Sequence, residues 1–222
     1  MRALRRALLV AASALLVARV AAVSAELPDG ETILRTLTAQ SEALRAPLGD
    51  PALVARIQEH LAVLDRARGA SLGGRVSPEY RENLLADAAL LETAAGFLRS
   101  GNREAALAAA RDAEADLAVK HAHARTGLGL SSAGGLRTVR VTVRTLRGTR
   151  EEGGHLVWFV PRGWGNDARR YARFDAMSSP TSASLAPGNY LMWPGEATGG
   201  GRQPIVIGGH GQGEQTIDLG LP

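Results

Sequence analysis

The apolar residues change their spacing across a glycine- and serine-rich segment at 125–136, and this change constrains the fold more than any other feature. Before the segment they recur every three or four positions, which is the period of a helix with one apolar face. After it they alternate with polar residues, which is the period of a strand with one buried face. The helical pattern is clearest at Leu53, Val54, Ile57, Leu61 and Leu64, and the strand pattern at Val139, Val141 and Val143. The chain is therefore predicted to be α+β, with helices preceding strands.

This division predicts two domains joined by a linker. We place an antiparallel helical bundle at 26–124, a Gly/Ser linker at 125–136 and an antiparallel β-sandwich at 137–222. Side-chain oxygens that can accept from the free N–H groups of a first turn predict four helix starts. These residues are Asp29, Asp50, Ser77 and Asn102. The alanine face of the last helix is either an internal seam or a docking surface for a partner helix.

Six or seven short strands are expected in the C-terminal half. Six of them can be placed, at 138–145, 155–160, 171–177, 189–193, 203–207 and 215–219. Clusters of Gly, Pro, Asn and Ser separate them, as is typical of short antiparallel strands joined by turns.

The first 25 residues are typical of a secretory signal. Arg2, Arg5 and Arg6 precede an apolar run at 7–18, and small residues at 23–25 fit a cleavage site. The run is too short to span a bilayer. We expect cleavage and a periplasmic or extracellular protein without a stable membrane span, with an uncleaved anchor as the alternative.

Removal of the signal also removes the basic excess. The whole chain has a formal net charge of +4, but residues 26–222 carry 22 basic and 22 acidic side chains. A nucleic-acid partner is therefore not expected, because such proteins keep a basic surface that releases phosphate counterions. Residues 26–130 carry 12 basic and 15 acidic side chains, and residues 131–222 carry 10 and 7. Lys120 is the only lysine in the chain, which we attribute to genome composition.

The run Leu185-Ala186-Pro187-Gly188-Asn189-Tyr190 resembles the L-x-P-G-x-Y segment of carboxypeptidase regulatory-like domains, which are transthyretin-like sandwiches of the carbohydrate-binding-like group. Pro187 and Gly188 suit a tight turn. Tyr190 is then expected to point its ring inward and to bond backbone through its hydroxyl. The match covers about residues 137–220 and implies a transthyretin/Ig-like fold with a non-catalytic, accessory role.

No pattern for catalysis, metal binding or a cofactor is recognised. The chain has no cysteine, which excludes thiol chemistry and a disulfide framework. His121 and His123 are two positions apart and so lie on different helix faces. His155 and His210 both lie in the β half, and the sequence leaves open whether they meet. The protein is therefore predicted not to be an enzyme.

The candidate ligand site is a loop that contains Trp164. Gly163 and Gly165 flank this indole, polar residues surround it, and four arginines lie close in sequence: Arg162, Arg169, Arg170 and Arg173. Aromatic faces stack on sugar rings, and guanidinium groups bond anions. An exposed indole predicts that Trp164→Ala weakens binding without lowering the melting temperature. The alternative is an indole folded over the end of the sandwich, with solvated arginines.

These observations predict an exported, non-enzymatic accessory protein of the bacterial envelope. In the leading hypothesis the sandwich binds a protein or polysaccharide of the cell envelope. In the alternative the sandwich is a structural spacer, and the helical bundle is the protein-interaction module.

Overall fold

The computed structural model describes residues 27–70, 76–125, 130–131, 135–136, 138–208 and 213–222. The predicted signal at 1–25 lies outside the described residues, and so does His210. Within the described part, four helices occupy the N-terminal half and ten strands the C-terminal half, so the α+β prediction is confirmed.

The four helices begin where the sequence predicts. Their bounds are α1 Gly30–Leu48, α2 Pro51–Ala70, α3 Pro78–Arg99 and α4 Arg103–Arg125. Each start has a side-chain oxygen that accepts from a backbone N–H of the first turn, at 2.8–3.2 Å. The four acceptors are Asp29, Asp50, Ser77 and Asn102. All four predicted starts are therefore confirmed, because capping depends only on residues three positions apart.

The helices pack around one apolar cluster. α1 packs against α2 and α3, and α4 packs against α2 and α3 as well. The alanines of α4 face this cluster and are buried: Ala106, Ala109, Ala110 and Ala113. Of the two interpretations of the alanine face, the internal seam is confirmed, because small side chains let α4 approach its neighbours closely.

Five of the strands lie close to their predicted positions. They are β3 Val139–Arg147, β5 Val157–Pro161, β8 Gly188–Pro194, β9 Gln203–Ile207 and β10 Glu214–Gly220. The remaining strands are β1 Leu130–Ser131, β2 Gly135–Leu136, β4 Arg150–Glu151, β6 Ala172–Arg173 and β7 Thr181–Leu185. The sequence does not predict β7, because its serines and threonine and the preceding proline are typical of a turn. The segment at 125–136 is not only a linker, since β1 and β2 pair within it.

The larger strands form two sheets. In one sheet, β10 pairs with one edge of β3, and β4 and β7 pair with the other edge. The second sheet has the order β6-β5-β8-β9. Every described pairing is antiparallel except β3 with β10, which is parallel, so the prediction of purely antiparallel pairing is wrong there. A parallel pair needs a long crossover, and here the second sheet supplies it.

Both sheets contribute to one apolar cluster. The first sheet supplies Val139, Val141, Val143, Leu185, Ile217 and Leu219, and the second supplies Val157, Tyr190, Met192 and Ile207. Phe174 joins them from just beyond β6. The alternation predicted from the sequence of β3 therefore matches the structure, in which its valines are buried.

The helices also contact the sheets directly. Ala186, just before β8, belongs to the apolar cluster of the helices. α4 packs against β8, and α3 packs against the short 3-10 helix Arg162–Trp164. A Cβ added at Gly163 would lie only 2.0 Å from the carbonyl oxygen of Ala86. The two halves, predicted as separate domains, thus meet in a close junction.

Gly163→Ala tests this junction. The added methyl group would collide with the α3 backbone, so we expect a loss of about 1–3 kcal/mol in the free energy of unfolding. The control is Gly200→Ala, whose new Cβ would have no neighbour within 4 Å. Urea unfolding measures both, and equal midpoints for the two variants would contradict the close approach.

Candidate functional site at the junction of helices and sheets

The predicted ligand residues lie in the loop between β5 and β6. This loop contains two short 3-10 helices, Arg162–Trp164 and Ala168–Arg170. Asp167 begins the second one, because its carboxylate accepts from the backbone N–H of Arg169 at 3.2 Å. The loop therefore has a defined path that sets the direction of each side chain.

Trp164 is half-buried, so the prediction of an exposed indole is wrong. Its Nε1 is buried and has no hydrogen-bond partner among the described residues. The guanidinium of Arg170 lies 5.0 Å from the centre of its ring, in range for a cation–π contact. The close packing of Gly163 on α3 draws the indole towards the junction, an effect that composition alone does not reveal.

Two of the predicted arginines pair with acids on the helices. Arg162 Nη2 lies 2.9 Å from Asp112 of α4, and Arg170 pairs with Glu82 of α3. Burial raises the pKa of Asp112 above its ordinary value, and the nearby Arg162 opposes that rise. These two arginines therefore join the sheets to the helices.

The other two predicted arginines remain on the surface. Arg169 pairs with Asp167 through two hydrogen bonds of 2.9 and 3.0 Å, and its side chain is 89% exposed. The hydrogen bonds from Arg169 lower the pKa of Asp167. Arg173 is exposed and lies over Trp158 of β5, with 6.0 Å between the guanidinium carbon and the ring centre. The five predicted residues are thus divided between the junction and the surface.

Arg202 was missed and belongs to the same region. Its guanidinium lies 4.9 Å from the ring centre of Tyr171 and 4.8 Å from that of Trp193. It also donates to the carbonyl of Gly165, which fixes the loop. Arg202 follows three glycines in sequence, so no local pattern indicated its partners.

Tyr190 links the β half to α3. Its hydroxyl donates to the Ala186 carbonyl at 2.9 Å and accepts from Asn83 Nδ2 at 2.8 Å. The expectation that Tyr190 points inward and bonds backbone is confirmed. Burial raises the pKa of Tyr190 well above its ordinary value, so the hydroxyl keeps its proton.

A buried charged cluster, formed by Asp87, Asp116 and Lys120, lies beside Tyr190. Lys120 Nζ is 3.0 Å from both carboxylate oxygens of Asp87, and both side chains are fully buried. Asp116 accepts from the backbone N–H of Asn189 in β8 at 2.6 Å. Burial raises the pKa of Asp87 well above its ordinary value, Lys120 opposes the rise, and Asp116 adds to it.

Sequence analysis missed this cluster, although a signal for it was present. Asn83 and Asp87 lie on the same helical period as the buried residues Tyr80, Leu84 and Leu91. Asp116 and Lys120 likewise follow the buried Ala113 and Leu117 of α4. Polar residues on an apolar face are buried with partners, and the period alone indicated them.

His60 and His121 form a pair within the helices, and His155 lies in the β half. His60 of α2 and His121 of α4 bring their Nδ1 atoms to 2.7 Å, whereas His155 pairs with Glu152 at 3.2 Å. Glu114 lies 3.6 Å from Nε2 of His60. Within the described residues, no group of three or more His, Cys, Asp or Glu side chains is arranged to hold a metal ion.

Comparisons with protein-family models, with curated protein sequences and with solved structures find no match to this chain. The resemblance to carboxypeptidase regulatory-like domains therefore remains a prediction. Among the helices that the structure describes, none is long and apolar enough to cross a membrane.

The burial of Trp164 changes the expected effect of its replacement. Trp164→Ala removes a ring packed at the junction, so we expect a loss of about 2 kcal/mol, or a melting temperature about 4–8 °C lower. Met177→Ala is the control, because Met177 is 51% exposed. Calorimetry measures both, and an unchanged melting temperature for Trp164→Ala would restore the exposed-loop interpretation.

The histidine pair predicts that acid destabilises the helices. Burial, the neighbouring His60 and Arg125 lower the pKa of His121 below 6.5. Arg66 also lowers this pKa, Glu59 opposes the change, and Arg56 and Glu114 flank His60. His121 therefore binds a proton more readily in the unfolded chain than in the folded chain. Stability is therefore complete above pH 6.5 and falls as the pH drops through the folded pKa.

Urea midpoints measured from pH 7.5 to 5 test this slope. We expect His121→Gln to flatten it. We expect His155→Gln to preserve it, because His155 pairs with Glu152 in the β half. If the unaltered protein, His121→Gln and His155→Gln all show the same dependence of the urea midpoint on pH, other groups cause the acid sensitivity.

Proposed function

We propose that this chain is an exported, non-enzymatic binding protein of the bacterial envelope, acting in the periplasm or outside the cell. Its two sheets would form a carboxypeptidase regulatory-like β-sandwich, and its helices an antiparallel bundle. The sandwich would engage an anionic glycan or an acidic protein surface. The signal-like first 25 residues support export, and the L-x-P-G-x-Y segment supports the family.

The observation that carries this proposal is the arrangement of Arg173 over Trp158. Val157 and Phe159 face the shared cluster of the sheets, so Trp158, between them, lies on the opposite face. Its Nε1 donates to the Gly195 carbonyl at 2.9 Å, which holds the ring in place. A fixed ring beside a guanidinium can stack on a sugar while the cation bonds a carboxylate or phosphate.

Arg169 extends this surface. Its side chain is highly exposed, and it forms an ion pair with Asp167. An exposed pair of this kind contributes little to stability, so an anionic ligand can compete for the guanidinium at low cost. Arg162 and Arg170 are less available, because each pairs with an acid on a helix.

The double variant Arg169→Ala/Arg173→Ala tests the proposed surface. We expect at least a tenfold weaker association of residues 26–222 with washed envelope, measured by co-sedimentation, because two charge-assisted contacts are lost. The matched control is Arg140→Ala/Arg150→Ala, two arginines of the other sheet. Unchanged sedimentation of the Arg169/Arg173 variant would contradict the proposal. Protease treatment of the envelope distinguishes a glycan, which survives, from a protein, which does not.

The alternative function has one observation in its favour. A groove of about 560 Å³ lies between α1 and α2, with apolar residues at its base and charged residues at its rim. A partner helix could occupy it, which would make the helices the interaction module. Ala62→Arg would place a long charged side chain in this groove, because Ala62 lines it and is exposed. Loss of sedimentation in Ala62→Arg, but not in Arg169→Ala/Arg173→Ala, would favour this alternative.

Point variants are preferable to deletion of the β half. Deletion would remove Ala186 from the apolar cluster of the helices and the N–H of Asn189 from Asp116. A helical fragment would then expose the buried charged cluster, and failure to bind would say nothing about the interaction surface.

A further inference from the structure

The buried charged cluster has the composition of a reactive site. Lys120 Nζ lies 3.0 Å from both oxygens of the Asp87 carboxylate, and neither side chain has any exposed surface. Asp116 is buried as well and lies close enough to Asp87 to raise the pKa of the Asp87 carboxyl. An amine and a carboxyl group are thus in contact, beside a second carboxyl group, and all three are shielded from water.

The identity of Lys120 is the second observation. The chain has 26 lysines and arginines, and Lys120 is the only lysine. For a static ion pair, an arginine would match a carboxylate better, because its planar fork forms two parallel hydrogen bonds. A lysine amine, unlike a guanidinium, becomes a nucleophile when it loses its proton in a buried site. A lone lysine in the most buried ion pair is therefore better explained by chemistry than by genome composition.

Asp116 is placed to move protons during such chemistry. It lies one helical turn before Lys120 on α4, so the two side chains share a face. The backbone N–H of Asn189 in β8 holds its other end at 2.6 Å. A carboxyl that is held on the same helix face as the amine and near Asp87 can act as general base and then as general acid.

We propose that Lys120 and Asp87 condense to an intramolecular isopeptide bond that cross-links α4 to α3. The ammonium proton of Lys120 passes to the Asp87 carboxylate, which leaves a neutral amine beside a neutral carboxyl group. The amine then attacks Cγ of Asp87 while the Asp116 carboxylate accepts the second proton from Nζ. The bond between Nζ and Cγ forms, and a bond between Cγ and oxygen breaks. Asp116 returns the proton to the departing hydroxyl, so the products are a neutral amide and one water. No oxidant, metal or cofactor takes part.

Burial supplies both the driving force and the geometry. An ion pair loses its hydration in the interior, whereas an uncharged amide does not carry that cost. The helices hold the two reacting groups together, which replaces the improbable encounter of free groups in solution. Burial raises the pKa of Asp87 well above its ordinary value, which favours the protonated form that the reaction consumes.

The mass of the intact protein and one digestion test the bond. We expect the folded chain to weigh one water less than its sequence. The endoproteinase that cuts after lysine should leave the denatured protein whole, because Lys120 is its only site. Trypsin should release a branched peptide that joins residues 82–99 to residues 112–125. Water lost elsewhere, for example at a new amino-terminal Glu26, would leave Lys120 open to cleavage and would not produce this peptide.

Three variants identify the roles. Lys120→Arg should show the full mass. Asp116→Asn keeps the shape of the Asp116 side chain but cannot move protons, so it should also show the full mass and be cut after Lys120. Asp87→Asn should lose ammonia in place of water, because its leaving group is an amine. Full mass and complete cleavage after Lys120 in the unaltered protein would overturn the proposal, whatever the stability of the variants.

Discussion

The contact between Asp87, Asp116 and Lys120 is the constraint on which the junction depends. Three ionisable groups without solvent are costly unless each has a close partner, and removal of one leaves the others uncompensated. The partners here come from α3, α4 and the backbone of β8. Their positions therefore set the register between the two helices and between the helices and the second sheet. The hydrogen bond from Asn83 to Tyr190 reinforces the same alignment.

The charges of the two halves are divided in a way that serves both the junction and the proposed surface. Acids on the helices, Glu82 and Asp112, attract arginines from the loop between β5 and β6. This use of Arg162 and Arg170 for docking leaves Arg169 and Arg173 facing solvent. A covalent bond between Lys120 and Asp87 would hold together α3 and α4, the helices against which the sheets pack, independently of salt, which screens the peripheral pairs most. The surface and the junction can therefore be altered separately.

Local chemistry explains what sequence analysis predicted well. A helix cap involves residues three positions apart, so Asp29 and Ser77 predicted the starts of their helices without tertiary information. Tyr190 was placed correctly because a Pro-Gly turn directs the next strand and its side chains. β7 was not predicted, because its Thr and Ser side chains show no strong apolar alternation. It is a strand because it pairs with β3. The parallel partner of β3 comes from more than 70 residues away, which no local pattern encodes.

The sequence by itself determined the order of helices and strands, the buried faces and the helix starts, because these depend on period and on nearest neighbours along the chain. It also indicated the arginines of the candidate site, but not that two of them pair with acids on the helices while two remain on the surface. Only the tertiary structure decided that Trp164 packs at a junction, that Arg202 lies between two rings and that Lys120 meets Asp87. Each of these contacts joins segments distant in sequence, so its energy arises only when the helices and sheets pack together.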